Sequence, residues 1–440
     1  MANIKFTIDK EKLSTKLLQR IQEIASLPGV EELLVLPDIH LKKEGARMGY
    51  KGYIPSSFGS LSRDILYPQL SAVNINCGKS LIKTELSYST ETIDKLEKAL
   101  LNFNKGLIKG IFSKLRRPLP NKYSLSRKEF YEVCLQGPAY LQSKFKQSVD
   151  NIFNVDSPQV ANINKDIFDY FNDDWKNGHQ YLRNNIGSFL QGNHFIEVQV
   201  ADEIFDQEQA SKWGVKEGQI FILYHMGQGG PSSVLNSEIL NKIVYRSEFI
   251  GLNQGNKYYN IFRDTLKVLI NYGLATRLTT FMLLQDVLNQ ITDLNYFSDH
   301  THDFVKEIKK EDSIYFLYAN NANLVKDDQP VVLSGLYNLK SYVGRGIPNN
   351  EILKLSDHGY GKATSNFSTT ELQNKNQYTN HQVRKIALKN EINFSIFRHK
   401  ESVSLKQSQA AEYVWTALEK NNILKKIFSL TPIINFRYTK

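Results

Sequence analysis

The 440-residue sequence predicts a mixed α+β fold built as one large domain over residues 1–440. Three observations lead there. Segments with helical apolar spacing alternate with short apolar runs, without the regular strand–helix beat of a doubly wound sheet. No Pro-, Gly- or Ser-rich stretch marks a linker, and no internal repeat or low-complexity tract interrupts the chain. A hydrophobic fraction of 41% over this length is ample for a sizeable core.

Residues 11–27 (EKLSTKLLQRIQEIASL) carry apolar residues at helical spacing and stop before Pro28-Gly29, which predicts the first helix. EELLVLPDIH reads as a strand running into a loop. Residues 90–115 are helical in pattern. They lead into a basic stretch, Lys105, Lys109, Lys114, Arg116, Arg117, Lys122, Arg127 and Lys128, with no acid between 105 and 128. It is either a solvated helix face with its loop or a phosphate-backbone contact. The polar, aromatic stretch 160–185 is expected as helix and loop. HFIEVQV and QIFILYH read as strands, the second followed by the flexible GQGGPSS loop. Residues 261–291 make the longest helical pattern, QPVVLSGLY and EILKL are further strands, and a final helix is expected over 407–427, before TPIINFRYTK.

Composition limits the function classes. Lys and Arg total 55 against 45 Asp and Glu, a net charge of +10 that suits a polyanionic partner. Cys77 and Cys134 are the only 2 cysteines, which excludes a disulfide scaffold and a four-cysteine zinc site. Charges interrupt MANIKFTIDKEKLSTKL where a secretory signal needs its apolar core, and no apolar run approaches the roughly 20 residues that cross a bilayer. A reducing cytoplasmic setting, without a membrane, is the expectation. GQGG lacks the Lys and Ser/Thr of a P-loop, and no Gly-x-Ser-x-Gly element supports a serine hydrolase.

Five segments put a His or Cys beside Gly, Asn or Ser at the edge of an apolar strand: NINCGKS with Cys77, QGNHFIE with His194, YHMGQGG with His225, DHTHDF with His302 and DHGYGKATSN with His358. Small neighbours let the backbone approach a metal or phosphate closely. Thiolate and imidazole donors suit zinc, iron, cobalt or manganese. No two of these residues share a short fixed spacing, and any one histidine alone reads more readily as a structural residue. The signal is their number. Cys134, in FYEVCLQG, reads as a buried thiol. His40 reads as structural or near the site, while His179, His300, His381 and His399 have no supporting pattern.

Taken in order, the segments resemble the RtcB family of GTP-dependent RNA ligases, from about residue 20 to the C-terminus. LPDIH resembles that family's Pro-Asp-Val-His element, and AVNINCG its Gly-Val-Asp-Ile-Gly-Cys-Gly element. GNHFIE is a nearly intact match. YHMG, YGLATR, THDFVKE, VVLSGLYNLKSYVGRG and HGYGKATSN resemble later elements. The resemblance implies joining of an RNA 2′,3′-cyclic phosphate or 3′-phosphate end to a 5′-hydroxyl end, using GTP and two Mn2+ ions. It implies His358 as the histidine that becomes guanylylated. It also implies Cys77, His194, His225, His302 and Asn74 around the metals, and Asn193, Phe195, Glu197, Ser341, Gly361 and Lys440 around the nucleotide. RNA ends are the implied partner and a monomer is expected.

Departures fall on the same positions. Asn74 stands where the family has a metal-binding aspartate, Gln228-Gly229 where it has Ser-Arg, and Asp303 where it has Asn. Leu336 and Asn338 replace a Ser and a Gly, and Lys362 and Asn366 replace two arginines. Lysine keeps the charge but loses bidentate phosphate recognition. Three readings stay open on the sequence alone: an active ligase, a protein that binds RNA ends or metal without ligating, and a metal-dependent phosphoesterase.

Overall fold

The chain opens with β1 (Asn3–Phe6), α1 (Thr15–Ala25) and β2 (Val30–Leu41), β1 lying parallel to β2. Ser14 starts α1 by accepting from the Leu17 amide at 3.3 Å. Leu17, Ile21, Ile24 and Ala25 form its buried stripe. The computed structural model describes residues 2–41, 54–72, 74–111, 122–146, 194–227, 249–335, 339–349, 353–360, 384–388, 392–398 and 405–439, with 163, 167–168, 183, 186–187 and 351 between them. The strand expected to end in a loop at LPDIH instead continues to Leu41. Pairing with β3 lapses between Val35 and His40, a register shift that leaves Pro37 outside the ladder where its missing N–H costs nothing.

β3 (Pro55–Arg63), β4 (Gly78–Ser87) and α2 (Thr90–Ile111) follow. α3 (Arg127–Gln136) begins with a capping box between Ser126 and Glu129, and α4 (Pro138–Phe145) packs after it. The centre of the basic stretch, 112–121, and nearly all of 160–185 lie outside the described residues. β5 (Phe195–Ile204), α5 (Gln207–Lys212), β6 (Gln219–Met226) and α6 (Tyr259–Leu288) come next. The chain then runs through β7 (Leu294–Thr301), β8 (Asp303–Lys310), β9 (Ser313–Asn320), β10 (Ala322–Leu324), β11 (Pro330–Leu333), β12 (Ser341–Gly346) and β13 (Leu355–Asp357). It closes with β14 (Arg384–Leu388), β15 (Ile392–Arg398), α7 (Leu405–Lys420) and β16 (Leu424–Thr439).

Two expectations are corrected here. Among the described residues of EILKL only the last is strand, because the pairing with β10 begins at Leu355 and runs on to Asp357. The helix expected over 407–427 stops at Lys420, and Asn422 at φ +55° reverses the chain. The apolar residues after it enter the sheet between β12 and β5, where tertiary burial overrides helical spacing.

Nine strands form the main sheet among the described residues, in the order β11-β12-β16-β5-β6-β4-β7, with β15 also pairing β16 and β14 pairing β15. A second sheet, β1-β2-β3-β9-β8, lies alongside. α6 is buried along most of its length, with Phe262, Leu269, Leu278, Phe281 and Leu284 in the core. A second cluster, including Leu36, Leu333, Val414, Trp415 and Leu418, is built around α7. No described helix is long and apolar enough to cross a membrane.

Register assigns the faces of the main sheet. Lys79 pairs with His225 and with His300, and His225 pairs with Phe195, so these side chains share one face. Ser80, Tyr224 and Asp299 share the other, which meets α6.

The α7 contact gives a test of this packing. A Cβ at Gly344 would lie 2.5 Å from the Trp415 ring, and that ring is wholly buried. Gly344→Ala should destabilise the protein by about 1–3 kcal/mol in urea unfolding. An unchanged midpoint would contradict the docking of α7 on β12.

Candidate functional site

The site begins in the tight turn before β4. Asn76 adopts φ +63°, a left-handed conformation that Asn tolerates better than most residues. Its amide donates to the Asp303 carbonyl at 2.6 Å, and its side chain donates to the Ile270 carbonyl at 2.5 Å while accepting from Thr301 Oγ1 at 2.6 Å. The Asn76 carbonyl accepts from Arg277 Nη1 at 2.7 Å. Arg277 is fully buried. Its Nε meets Asp299 at 2.8 and 3.2 Å, and its Nη2 donates to Thr301 Oγ1 at 2.9 Å. The charge is thus paired and hydrogen-bonded, the condition under which burial is tolerated.

That turn aims Cys77 at two strands' ends. Cys77 Sγ lies 3.0 Å from His225 Nε2, at the end of β6, and 3.6 Å from His194 Nε2, just before β5. The three donor atoms lie within 4.8 Å of one another, and all three residues are buried. A Cβ at Gly227 would come within 2.6 Å of Cys77 Sγ and 3.1 Å of His194 Nε2, so glycine leaves room for the donors. One cysteine sulfur and two imidazoles converging in this way fit a divalent transition ion.

Two more histidines extend the cluster. The His302 amide donates to the Cys77 carbonyl at 3.0 Å, and its ring lies 5.0 Å from that of His225. The His358 ring packs against that of His302, with centroids 4.6 Å apart and planes tilted by 37°. His300 sits two residues before His302 at the end of a strand, so both project to the same side, but its Nε2 is engaged with the Pro330 carbonyl at 2.8 Å. His40 contacts its own neighbour, the Asp38 carbonyl, at 2.8 Å. Asn74 occupies the same turn as Cys77 and accepts from the Cys77 amide through its carbonyl at 2.9 Å.

Of the expected nucleotide positions, Phe195, Glu197 and Ser341 are among the described residues. Phe195 packs 5.5 Å from the His225 ring. Glu197 is buried, with one oxygen accepting from Asn435 Nδ2 at 2.5 Å and the other from Gln199 Nε2 at 2.6 Å. Gln199 also donates to Ser341 Oγ at 3.2 Å, and Ser341 Oγ accepts from the Gly335 amide at 3.2 Å. Tyr360, two residues beyond His358, is buried, and its phenol donates to the Lys340 carbonyl. Burial above all, then Tyr342 and Glu197, raises the Tyr360 phenol well above the ordinary value.

A carboxyl pair flanks His358. Asp357 is wholly buried, and its Oδ1 accepts from the Asp38 amide at 3.0 Å. Burial, and then the Asp38 carboxylate, push the Asp357 carboxyl well above its ordinary value.

The comparison with known proteins is decisive at this point. Residues 20–438 match the family model described as tRNA-splicing ligase RtcB. The chain belongs to the RtcB family. It is similar to the tRNA-splicing ligase RtcB of Methanococcus maripaludis, 21% identical over 83% of this chain and 80% of the relative. A tRNA-splicing ligase RtcB from Nanoarchaeum equitans is 25% identical over 82% of this chain and 81% of its own length. The RNA-splicing ligase RtcB2 of Escherichia coli is 23% identical over 98% and 95%.

The RtcB-like segments of the sequence therefore meet in space: Cys77, His194, His225, His302 and His358 form one continuous group. Asn193, Gly361 and Lys440 lie outside the described residues, as do Gln228, Leu336, Asn338, Lys362 and Asn366. Asp303, the described departure beside His302, accepts from the Asn321 amide through Oδ1 at 2.8 Å. Sequence reasoning missed the supports. Arg277 was read within a family element but given no role, and Asp299, Thr301 and Asn76 carry no metal-ligand signature. An Asn directly before the Cys-Gly pair was the available hint of a left-handed turn.

Arg277→Met should cost about 3–5 kcal/mol by leaving Asp299 buried and unpaired. The double variant with Asp299→Leu should recover stability but still retain less metal per chain by elemental analysis. Full metal retention in the double variant would show that the turn holds without the guanidinium. A second test concerns pH. A carboxyl with a raised folded-state pKa stabilises below its unfolded value and loses that contribution as pH rises. Asp357→Asn removes the titration and keeps the acceptor, so its thermal midpoint relative to the natural protein should rise from pH 4 to pH 8. A constant difference would contradict the burial of that carboxyl.

Proposed function

We propose that this chain is an RNA ligase of the RtcB type that joins RNA 2′,3′-cyclic phosphate or 3′-phosphate ends to 5′-hydroxyl ends, in RNA splicing or repair. The observation that carries the reading is the His358 ring, 4.6 Å from His302 at the edge of the Cys77–His194–His225 group. On this reading the whole chain acts as one catalytic domain, in the cytoplasm and as a monomer.

Cys77, His194, His225 and His302, with Asn74, would hold the divalent metal, two Mn2+ ions in the fullest form. Bound there, the metal supplies positive charge that offsets the negative charge of the triphosphate. A ring nitrogen of His358 attacks the α-phosphorus of GTP. The nitrogen–phosphorus bond forms as the bond to the pyrophosphate oxygen breaks, and pyrophosphate leaves. Neutral imidazole is a competent nucleophile near pH 7. The GMP then passes to an oxygen of the RNA 3′-phosphate, and the 5′-hydroxyl displaces it as the new phosphodiester forms. Packing of the His358 ring limits its rotation, which favours one direction of attack. Phe195, Glu197 and Ser341, with Asn193, Gly361 and Lys440, would hold the guanosine nucleotide. The net charge of +10 favours RNA as the polyanionic partner.

One observation favours the competing reading of RNA-end binding without ligation. Both Glu197 oxygens already accept from amides, which leaves fewer lone pairs for the N–H donors of a guanine. Incubation with α-labelled GTP and Mn2+ separates the two. The ligase reading predicts an acid-labile, alkali-stable protein adduct, absent from His358→Ala. No adduct with Mn2+, Co2+, Zn2+ or Mg2+ would overturn it in favour of binding.

A further inference from the structure

Lys79 stands on β4 two residues after Cys77, opposite His225 on β6 and His300 on β7. The pleat therefore sends its side chain to the metal-group face. It is only 3% exposed. A lysine so deeply buried is costly, because the ammonium gives up its water. Its Nζ donates to Ser334 Oγ at 2.5 Å and to the His358 carbonyl at 2.6 Å. The same His358 carbonyl accepts from the Ser334 amide at 3.2 Å, and Ser334 bridges Gly359 in parallel. One side chain thus joins three pieces of chain. These are the strand that follows Cys77, the end of β11 that leads to Gly335 and Ser341, and the segment carrying His358.

The two bonds tie the segments of Ser334 and His358 to the strand that follows Cys77. We propose that Lys79 is a positioning residue for transfer of the nucleotide to His358, acting through the His358 main chain and Ser334. The proposal rests on the ligase reading above. Lys79 does not touch the reacting atoms; it holds the imidazole at a fixed place relative to the metal donors. A small displacement of such a group is enough to slow reaction about 100-fold.

The test follows single-turnover labelling of the full chain with α-labelled GTP and Mn2+, alongside metal content and thermal midpoint. Lys79→Met keeps the length of the side chain and removes the charge. It should keep its metal, bind GTP within about threefold of the natural protein and form the His358 adduct roughly 100-fold more slowly. Lys79→Arg keeps a cation that can reach both oxygens and should recover at least about a tenth of the natural rate. Ser334→Ala deletes one hydroxyl in case Lys79→Met does not fold, and should slow labelling about tenfold. Labelling of Lys79→Met, or of Ser334→Ala if that alone folds, at the natural rate overturns the proposal alone. Loss of metal from Lys79→Met overturns it as well, by moving the role of Lys79 to the metal group. Absence of adduct in the natural protein overturns the ligase reading, and the proposal with it.

Discussion

Arg277 carries its charge into the core beneath the main sheet, and the turn that presents Cys77 hangs on it. A guanidinium without exposed surface survives only where its donors are met, and Asp299, Thr301 and the Asn76 carbonyl meet them. The turn is held on both sides, because Asn76 also binds Ile270 on α6 and Thr301 on β7. A Cβ at Gly78 would lie 2.6 Å from the Arg277 guanidinium carbon, so the first residue of β4 is confined to glycine. The long helix thus fixes the location of a thiol on the opposite side of the sheet.

The sheet separates support from chemistry. On the α6 side, Ser80 donates to Asp299 and Tyr224 donates to the Arg277 carbonyl, a polar group enclosed by apolar packing. On the other side, Lys79, His225, Phe195 and Glu197 follow one another across adjacent strands. Register determines this division, and a one-residue slip of β4 would send Lys79 into the core and Ser80 to the site. Burial of the cluster also lowers the local dielectric, so each charge and dipole there acts more strongly than in water.

Much of this was legible in the sequence, for identifiable reasons. The pattern of 261–291 gave α6 because a helix buried along most of its length needs many apolar residues, and HFIEVQV and QIFILYH gave β5 and β6 because both are apolar and bounded by turn residues. The Cys and His segments pointed to the site because each stands at a strand end beside small residues. What was illegible depended on partners distant in sequence. Residues 424–427 look helical locally, yet pairing with β12 draws them into a strand. Lys79 looks like an ordinary surface lysine until the segments around Ser334 and His358 close over it. The paired burial of Asp38 and Asp357 likewise appears only once residues 319 apart are brought together.

Cys77, His194 and His225 are placed to act together as a metal-binding group. Cobalt is the most direct probe, because a thiolate ligand to Co2+ gives an intense charge-transfer absorption that nitrogen and oxygen ligands do not. Titration of the metal-free full chain with Co2+ should produce that band, and Cys77→Ser should lose it while Cys134→Ser keeps it. A cobalt spectrum without the thiolate band, unchanged by Cys77→Ser, would contradict the central claim.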